Sequence, residues 1–210
     1  MDEEKVETQA AGEGPAEEEK REPELLENTI YCWAQALITA VVGVVLLFTF
    51  GFRLIGVNGP SMQDTLYTGD RLLVLNAMFC DFKAGDVVVI NDYNAELSDT
   101  LGKRIIAVGG QTIDIDSATG TVYVDGAALD EPYTKGITQA TDGTQFPLTL
   151  EEDEVFVMGD HRDHSTDSRS IRLGPVKEGY LQGKALVLLS PGKSPETGKS
   201  DWGRIGLIGR

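Results

Sequence analysis

A long uncharged segment near the N-terminus restricts the possible folds of this chain more than any other feature. The 25 residues between Glu27 and Arg53 carry no charged side chain, and residues 30–50 are apolar apart from one glutamine and two threonines. About 20 such residues, wound into an α-helix, cross the hydrocarbon core of a bilayer. We therefore predict a transmembrane helix over residues 29–52.

The segment fits a signal peptide or a buried core helix less well. A secretory signal peptide has a basic start, an apolar core of about 7–15 residues and a small-residue cleavage site. Here the preceding residues are acidic and the apolar core is longer. A helix buried in a soluble core usually has only about 10–14 consecutive apolar residues. We therefore expect a retained anchor, surrounded by lipid.

The charge of the chain is strongly negative and unevenly distributed. The sequence has 34 acidic and 18 basic residues, a formal charge of −16, and residues 1–28 hold eleven of the acids and three of the bases. A segment so charged and so poor in apolar residues buries too little surface to fold. We predict that residues 1–28 form a disordered tail. Binding to nucleic acid needs clustered Lys and Arg, which the sequence lacks, so we expect no such partner.

The basic residues that flank the anchor set its expected orientation. Lys5, Lys20 and Arg21 precede the segment, whereas Arg53 and Arg71 follow it. Acidic residues count little in the positive-inside rule, so this distribution favours, by a narrow margin, a cytoplasmic N-terminus.

The sequence after the anchor has the pattern of short strands. β-Branched or leucine-rich runs are bounded by Gly, Asp, Asn or Pro, and no helical period persists. The runs are residues 71–76, 86–91, 104–108, 111–116, 121–124, 154–158 and 185–189. We predict one mainly antiparallel β domain over residues 53–210, partly closed or folded over to hide its edges. A loop or subdomain insertion is expected at about residues 127–150.

Two turns and the cysteines add detail. Residues 117–120 fit a four-residue hairpin loop, and Asp125-Gly126 favours a turn with positive φ. Cys32 lies in the apolar segment and Cys80 after it, so we predict no disulfide within the chain.

Ser61 is the first candidate catalytic residue. It lies between Gly59-Pro60 and Met62, where the chain must turn tightly, so its hydroxyl and its backbone N–H can point the same way. An acyl-transfer nucleophile needs that arrangement. The alternative is a serine that caps a short helix or makes a local turn.

Lys103 is the second candidate. A lysine acts as a general base only when it is neutral, which requires burial in apolar surroundings. The apolar run that begins at Ile105 could supply them. The alternative is a solvated lysine that guards a strand edge.

A dense polar loop, residues 159–169, follows the apolar run 154–158. Such a loop after a buried strand is typical of a functional site. His161 and His164 could begin a metal site, but the sequence has no third histidine, and Arg162 and Arg169 can pair with the carboxylates of the loop. We therefore expect no metal and no cofactor. The remaining alternative is a solvated turn.

Together these segments resemble bacterial signal peptidase I, a membrane-bound endopeptidase that uses a serine and a lysine. Five motifs follow the anchor in the order of that family, and five ordered motifs are more specific than any one. They are residues 59–66 (GPSMQDTL), 69–74 (GDRLLV), 85–89 (GDVVV), 103–106 (KRII) and 159–169 (GDHRDHSTDSR). The resemblance covers about residues 57–172 and the anchor.

The resemblance implies a role for each matching residue. Ser61 matches the nucleophile and Lys103 the general base, while Ser165 matches a serine that orients the lysine. Asp167 and Arg169 match an ion pair that braces the loop. Two further supporting positions are Asp160 and Arg162. The implied fold is an antiparallel β-sheet catalytic domain of the signal peptidase type.

The sequence departs from the family pattern at five positions. Gly59 stands where some members have a residue whose side-chain hydroxyl completes the oxyanion hole, so that hydroxyl is missing here. Asp64 and Gly109 replace prolines of the usual motifs. His161 and His164 stand where asparagine is usual, which suggests structural substitutions.

The implied activity is cleavage of signal peptides from exported preproteins after small residues. The enzyme is then a monomer with a cytoplasmic N-terminus and an extracytoplasmic catalytic domain. One alternative is a soluble self-cleaving Ser-Lys repressor, which has no anchor and carries a DNA-binding helix pair. The other is a tethered β domain that binds signal peptides without cleaving them, against which the presence of both Ser61 and Lys103 argues.

Overall fold

The protein is described from a computed structural model covering residues 18–91, 100–139 and 143–209. The chain divides into two compact units, Met1–Leu47 and Phe48–Arg210. The first unit contains one helix, α1 (Glu18–Leu46), which continues into a π-helical turn at Leu47–Gly51.

Helix α1 has the length and composition of a membrane span. Residues Asn28–Gly51 form a helical stretch apolar enough to cross a bilayer. The side chains of residues 28–50 are exposed, unlike those of a helix buried in a soluble core. The structure therefore has a continuous, exposed apolar helix where the sequence predicts a membrane span.

The ends of the helix differ from the prediction. Helix α1 begins at Glu18, so it replaces the predicted disorder over residues 18–28, and residues 1–17 of that tail lie outside the described part of the chain. Glu, Lys and Arg are good helix formers, and extending a helix costs less than starting one. At the other end, Phe52 already belongs to the first strand, because it pairs with Leu75 across the sheet.

The described residues of the second unit form twelve strands. They are β1 Phe52–Gly56, β2 Arg71–Asn76, β3 Val87–Ile90, β4 Leu101–Val108, β5 Thr112–Ile115, β6 Val122–Val124, β7 Ala127–Ala128, β8 Leu148–Thr149, β9 Glu154–Met158, β10 Val176–Lys177, β11 Leu181–Ser190 and β12 Gly206–Leu207. Short 3₁₀ helices lie at Ala77–Phe79, Arg162–His164, Glu178–Tyr180 and Trp202–Arg204.

All the strand pairs are antiparallel and form two sheets. The larger sheet has the order β1-β2-β11-β3-β4-β9-β10, with β12 on β11, and the smaller has the order β7-β6-β5-β8. The prediction of a mainly antiparallel β domain is confirmed, and each of the seven predicted runs overlaps a strand. Strand β11 is twice as long as predicted, because residues 181–184 also pair with β3 and β2, and its pairing with both strands is bulged.

The predicted turns are confirmed. Ile115 pairs with Val122 across the loop 117–120, and Asp125 and Gly126 both have positive φ (52° and 79°). The predicted insertion, residues 127–150, contributes the edge strands of the smaller sheet. Both cysteines are free, as predicted.

Candidate active site

Ser61 lies in a tight loop between β1 and β2, residues 57–70. Val57 N–H donates to Asp70 O (2.8 Å) and Gly69 N–H donates to Val57 O (2.9 Å), which closes the base of the loop. Gly59 has φ of 100°, a conformation that favours glycine. Ser61 itself is half-buried, and its carbonyl accepts a hydrogen bond from His161 N–H (3.0 Å). The turn expected from the sequence is therefore present.

Ser61 lines a mainly apolar cavity. Its walls come from the 57–70 loop, β1, β2 and β3. The apolar side chains are Ile55, Val57, Met62, Leu66, Leu72, Val87, Val88 and Val89. Gly102, the neighbour of Lys103, borders the same cavity. The cavity therefore offers an apolar recess directly beside the serine.

Lys103 is buried in the middle of the larger sheet. It lies on β4, between β3 and β9, where it pairs with Val88, and only 2% of its surface is exposed. Burial lowers the pKa of Lys103 from its usual 10.5 to about 8, although the carboxylates of Asp167 and Asp160 act in the opposite direction. The alternative of a solvated lysine at a strand edge is therefore wrong. With a pKa of about 8, roughly a tenth of this amine is neutral at pH 7, far more than for an exposed lysine.

Asp167 and Arg169 form the predicted ion pair. Arg169 Nε and Nη2 each donate to the Asp167 carboxylate at 2.8 Å, and Gly159 N–H donates to it at 3.0 Å. Burial opposes ionisation of Asp167, but the bonds and charge of Arg169 outweigh it and lower the pKa of Asp167. Arg169 also donates to Arg162 O (2.8 Å), so the pair fixes the backbone of the loop.

Ser165 lies against Gly159, beside the 57–70 loop. A Cβ atom at Gly159 would lie 2.3 Å from Ser165 Oγ and 2.5 Å from Ser61 O, so only glycine permits this packing. Ser165 Oγ is buried near the Asp167 carboxylate, whose pKa it helps to lower, but it makes no regular hydrogen bond among the described residues. The structure therefore shows no hydrogen bond from Ser165 to Lys103 that would orient the lysine.

Asp160 pairs with Arg104, which the sequence marks only as the neighbour of Lys103. Arg104 Nε and Nη2 donate to the two Asp160 oxygens at 2.9 and 2.8 Å, and both side chains are 1% exposed. The Thr65 hydroxyl donates to the same carboxylate. Asp160 therefore connects the strand of Lys103 to the loop of Ser61.

Arg162 does not pair with a carboxylate of its own loop, which corrects the expectation from the sequence. It donates to both oxygens of Glu131 (3.0 and 2.6 Å) and to Thr138. Glu131 belongs to the insertion 127–150, so the insertion braces the polar loop. Nothing in the sequence distinguishes Glu131 from the other 33 acidic residues.

We expect Glu131→Ala to destabilise the protein by about 3 kcal/mol, because it leaves Arg162, whose side chain is 1% exposed, without its carboxylate. The measurement is urea unfolding of the full chain in detergent micelles. Asp130→Ala, the same kind of change at the adjacent carboxylate, is the control and should have little effect. Equal stability of the two variants would show that the pair does not brace the loop.

The two histidines form no metal centre with their neighbours. Their ring centroids are 4.5 Å apart, and His161 Nδ1 lies 3.3 Å from Pro60 O. Across residues 18–91, 100–139 and 143–209, no group of three His, Cys, Asp or Glu side chains could hold a metal ion. His161 instead contacts the 57–70 loop through its backbone and its ring.

Comparison with known proteins identifies the family. Residues 30–189 match the family described as signal peptidase, peptidase S26. Signal peptidase I of Bacillus licheniformis is 32% identical over 79% of this chain and 91% of its own. Signal peptidase I T of Bacillus subtilis (strain 168) is 31% identical over 78% and 87%. A crystal structure of signal peptidase I from Enterococcus faecalis V583 matches with a TM-score of 0.39 and 25% identity, over 50% of this chain and 97% of that one. With a family match over most of its length and relatives above 30% identity, this chain belongs to the signal peptidase family S26 and is a serine endopeptidase.

Proposed function

We propose that this protein is a membrane-anchored signal peptidase that cleaves signal peptides from exported preproteins, with Ser61 as nucleophile and Lys103 as general base. The observation that carries the proposal is the burial of Lys103 on a strand that packs against the Ser61 loop. A buried lysine can be neutral at physiological pH, and only a neutral amine accepts a proton.

The proposed reaction passes through an acyl-enzyme. Lys103 accepts the proton of the Ser61 hydroxyl as the oxygen attacks the scissile carbonyl, and then delivers it to the leaving amine. Lys103 then accepts a proton from water as the water oxygen attacks the ester carbonyl. The bond between that carbonyl carbon and Ser61 Oγ breaks, Lys103 returns the proton to Oγ, and the signal peptide leaves as a free carboxylic acid. The Ser61 backbone N–H stabilises the oxyanion. Gly59 supplies no hydroxyl there, so the backbone provides the donors from this side of the loop. No cofactor takes part.

The supporting residues have positional roles in this proposal. They are Asp160, Arg162, Ser165, Asp167 and Arg169. Ser165 is assigned the orientation of Lys103 from the resemblance to the family, and the two buried ion pairs that involve Asp160 and Asp167 keep both loops in place.

The cavity beside Ser61 supports a preference for small apolar side chains before the cleaved bond. Most of the side chains that line it are apolar, and a substrate strand that places a residue there must bury that side chain. The test uses the full chain in detergent micelles with a preprotein that has alanine at the first and third positions before the bond. We expect cleavage at that bond, identified by mass spectrometry of the product. Equal cleavage of a matched preprotein with tryptophan at the first position would contradict the proposed site.

We further propose that residues 28–51 cross the membrane once, with Met1 in the cytoplasm and residues 52–210 outside, and that the enzyme acts as a monomer. In sealed right-side-out vesicles, added protease should degrade the domain after Arg53 and spare an epitope at residue 2. Permeabilised vesicles are the control and should lose both. Protection of the domain with loss of the epitope would reverse the orientation.

A further inference from the structure

The C-terminal segment, residues 190–209, lies beyond the part of the chain that matches the family, which ends at residue 189. It nevertheless contacts both elements that carry the candidate catalytic residues. Three features describe these contacts: an ion pair at Asp70, a close backbone approach at Gly192 and a hydrogen bond at Gly209.

Asp70, the last residue of the 57–70 loop, is where the C-terminal segment contacts that loop. Its side chain is fully buried and accepts four hydrogen bonds. The donors are Tyr67 N–H (2.8 Å), Gly192 N–H (2.6 Å), Arg204 Nη1 (3.2 Å) and Arg204 Nη2 (2.8 Å). A buried carboxylate needs partners of this kind, and here they come from both the loop and the C-terminal segment.

Arg204 contacts the 57–70 loop at three places. It pairs with Asp70, donates through Nη2 to Thr65 O (2.9 Å), and lies over the Tyr67 ring at 4.1 Å. Thr65 is also held from the other side, because its hydroxyl donates to Asp160. The turn that carries Ser61 is therefore fixed between Asp160 and Arg204.

The backbone of the segment is close enough to the loop to require glycine. A Cβ atom at Gly192 would lie 2.4 Å from Thr68 O and 2.8 Å from Asp70 N. At its other end, Gly209 O accepts a hydrogen bond from Arg104 Nη1 (3.1 Å), and Arg104 adjoins Lys103. One segment thus touches the loop of Ser61 and the neighbour of Lys103.

We infer that Arg204 is a positioning residue, which fixes the 57–70 loop so that Ser61 meets the scissile carbonyl at the correct distance. The inference rests on the proposed function. A misplacement of about 1 Å can cost a catalyst roughly a hundredfold in rate. Arg204 does not line the cavity beside Ser61, so its loss should lower kcat and leave KM nearly unchanged.

The test compares Arg204→Ala with Lys184→Ala in preprotein cleavage by the full chain in detergent micelles. The two ion pairs are matched in burial: the side chains of Arg204 and Asp70 are 18% and 0% exposed, and those of Lys184 and Asp86 are 20% and 0% exposed. Both variants remove a cation from a buried carboxylate, so both should lose similar stability. We expect only Arg204→Ala to lose kcat, by about ten- to a hundredfold, with KM within about twofold.

The pH profile separates positioning from a general loss of structure. The midpoint of the rise of kcat with pH should stay near 8 in Arg204→Ala, because Lys103 keeps its surroundings. If Arg204→Ala does not fold, Arg204→Lys is the variant that tests the inference. Its ammonium can pair with Asp70 but cannot also donate to Thr65 O as the guanidinium does. A folded Arg204→Lys with reduced kcat supports the inference.

Wild-type kcat in Arg204→Ala or in a folded Arg204→Lys overturns the inference, as does an equal loss of kcat in Lys184→Ala. The same assay includes Ser61→Ala. If the wild type cleaves the preprotein and Ser61→Ala does not, the proposed function holds whatever the Arg204 variants do. Wild-type activity in those variants would then remove only the positioning role of Arg204.

Discussion

Ser61→Ala is expected to abolish preprotein cleavage while leaving the protein folded. The change removes the oxygen that forms the acyl-enzyme in the proposed mechanism. Loss of a nucleophile of this kind lowers kcat by about 10⁶-fold in other serine proteases. Because Ser61 is only half-buried, losing one hydroxyl opens no large cavity. The measurement is single-turnover cleavage of a preprotein by the full chain in micelles.

Two comparisons make this result specific. Ser190→Ala is the same change at another half-buried serine, at the end of β11, and should keep wild-type activity. Ser61→Cys should keep a trace of activity, since a thiol is a competent nucleophile of different size. Cleavage by Ser61→Ala at a rate near that of the wild type would remove Ser61 from the mechanism.

Lys103→Ala and Lys103→Arg are both expected to be inactive, although arginine keeps the positive charge. The reason is that guanidinium stays protonated at any usable pH and cannot accept the Ser61 proton. In the wild type, burial lowers the pKa of Lys103 to about 8. The neutral base is therefore the minor form below that pH, and kcat should rise about tenfold per pH unit until it levels off above pH 8.

The pH profile of cleavage checks this prediction, with the histidines as the competing candidates for the base. A profile centred near pH 6.5, or strong activity in Lys103→Arg, would identify an imidazole as the base. His161→Asn and His164→Asn then become the decisive variants. If Lys103 is the base, both should keep the midpoint near 8.

A stability measurement shows that loss of activity at Lys103 is not loss of folding. The pKa of Lys103 is about 8 when folded and near 10.5 in the unfolded chain. Between these values the unfolded state binds more protons, so the free energy of unfolding rises with pH there. Below pH 8 the buried ammonium costs about 3 kcal/mol, and Lys103→Met avoids that cost. The inactive Lys103→Met should therefore be more stable than the wild type at pH 7, by up to about 3 kcal/mol, and the difference should shrink as pH approaches 10.

The local features of this protein could be predicted because each depends on residues adjacent in the chain. The long apolar helix follows from the length of one apolar segment, and β2 and β9 follow from runs of six and five residues that match the strands residue for residue. The Asp167–Arg169 pair spans two positions in one loop. The helix start at Glu18 and the long β11 do not follow from composition, because extension of an existing element depends on pairing and cooperativity.

The partners of the other buried charges depend on the tertiary structure. Arg162 pairs with Glu131, 31 positions away; Arg104 pairs with Asp160, 56 positions away; and Arg204 pairs with Asp70 across 134 positions. The residues next to a carboxylate in the sequence do not indicate which cation it pairs with, and the sequence has 34 acidic residues. The burial that lowers the pKa of Lys103 has the same origin, since it depends on the folded domain around β4, in which Asp160, Asp167 and Arg169 come close to the amine. Residue type supplied the chemical groups, whereas the sheet order determined which of them lost water and which charges became neighbours, because desolvation and charge pairing act through space rather than along the chain.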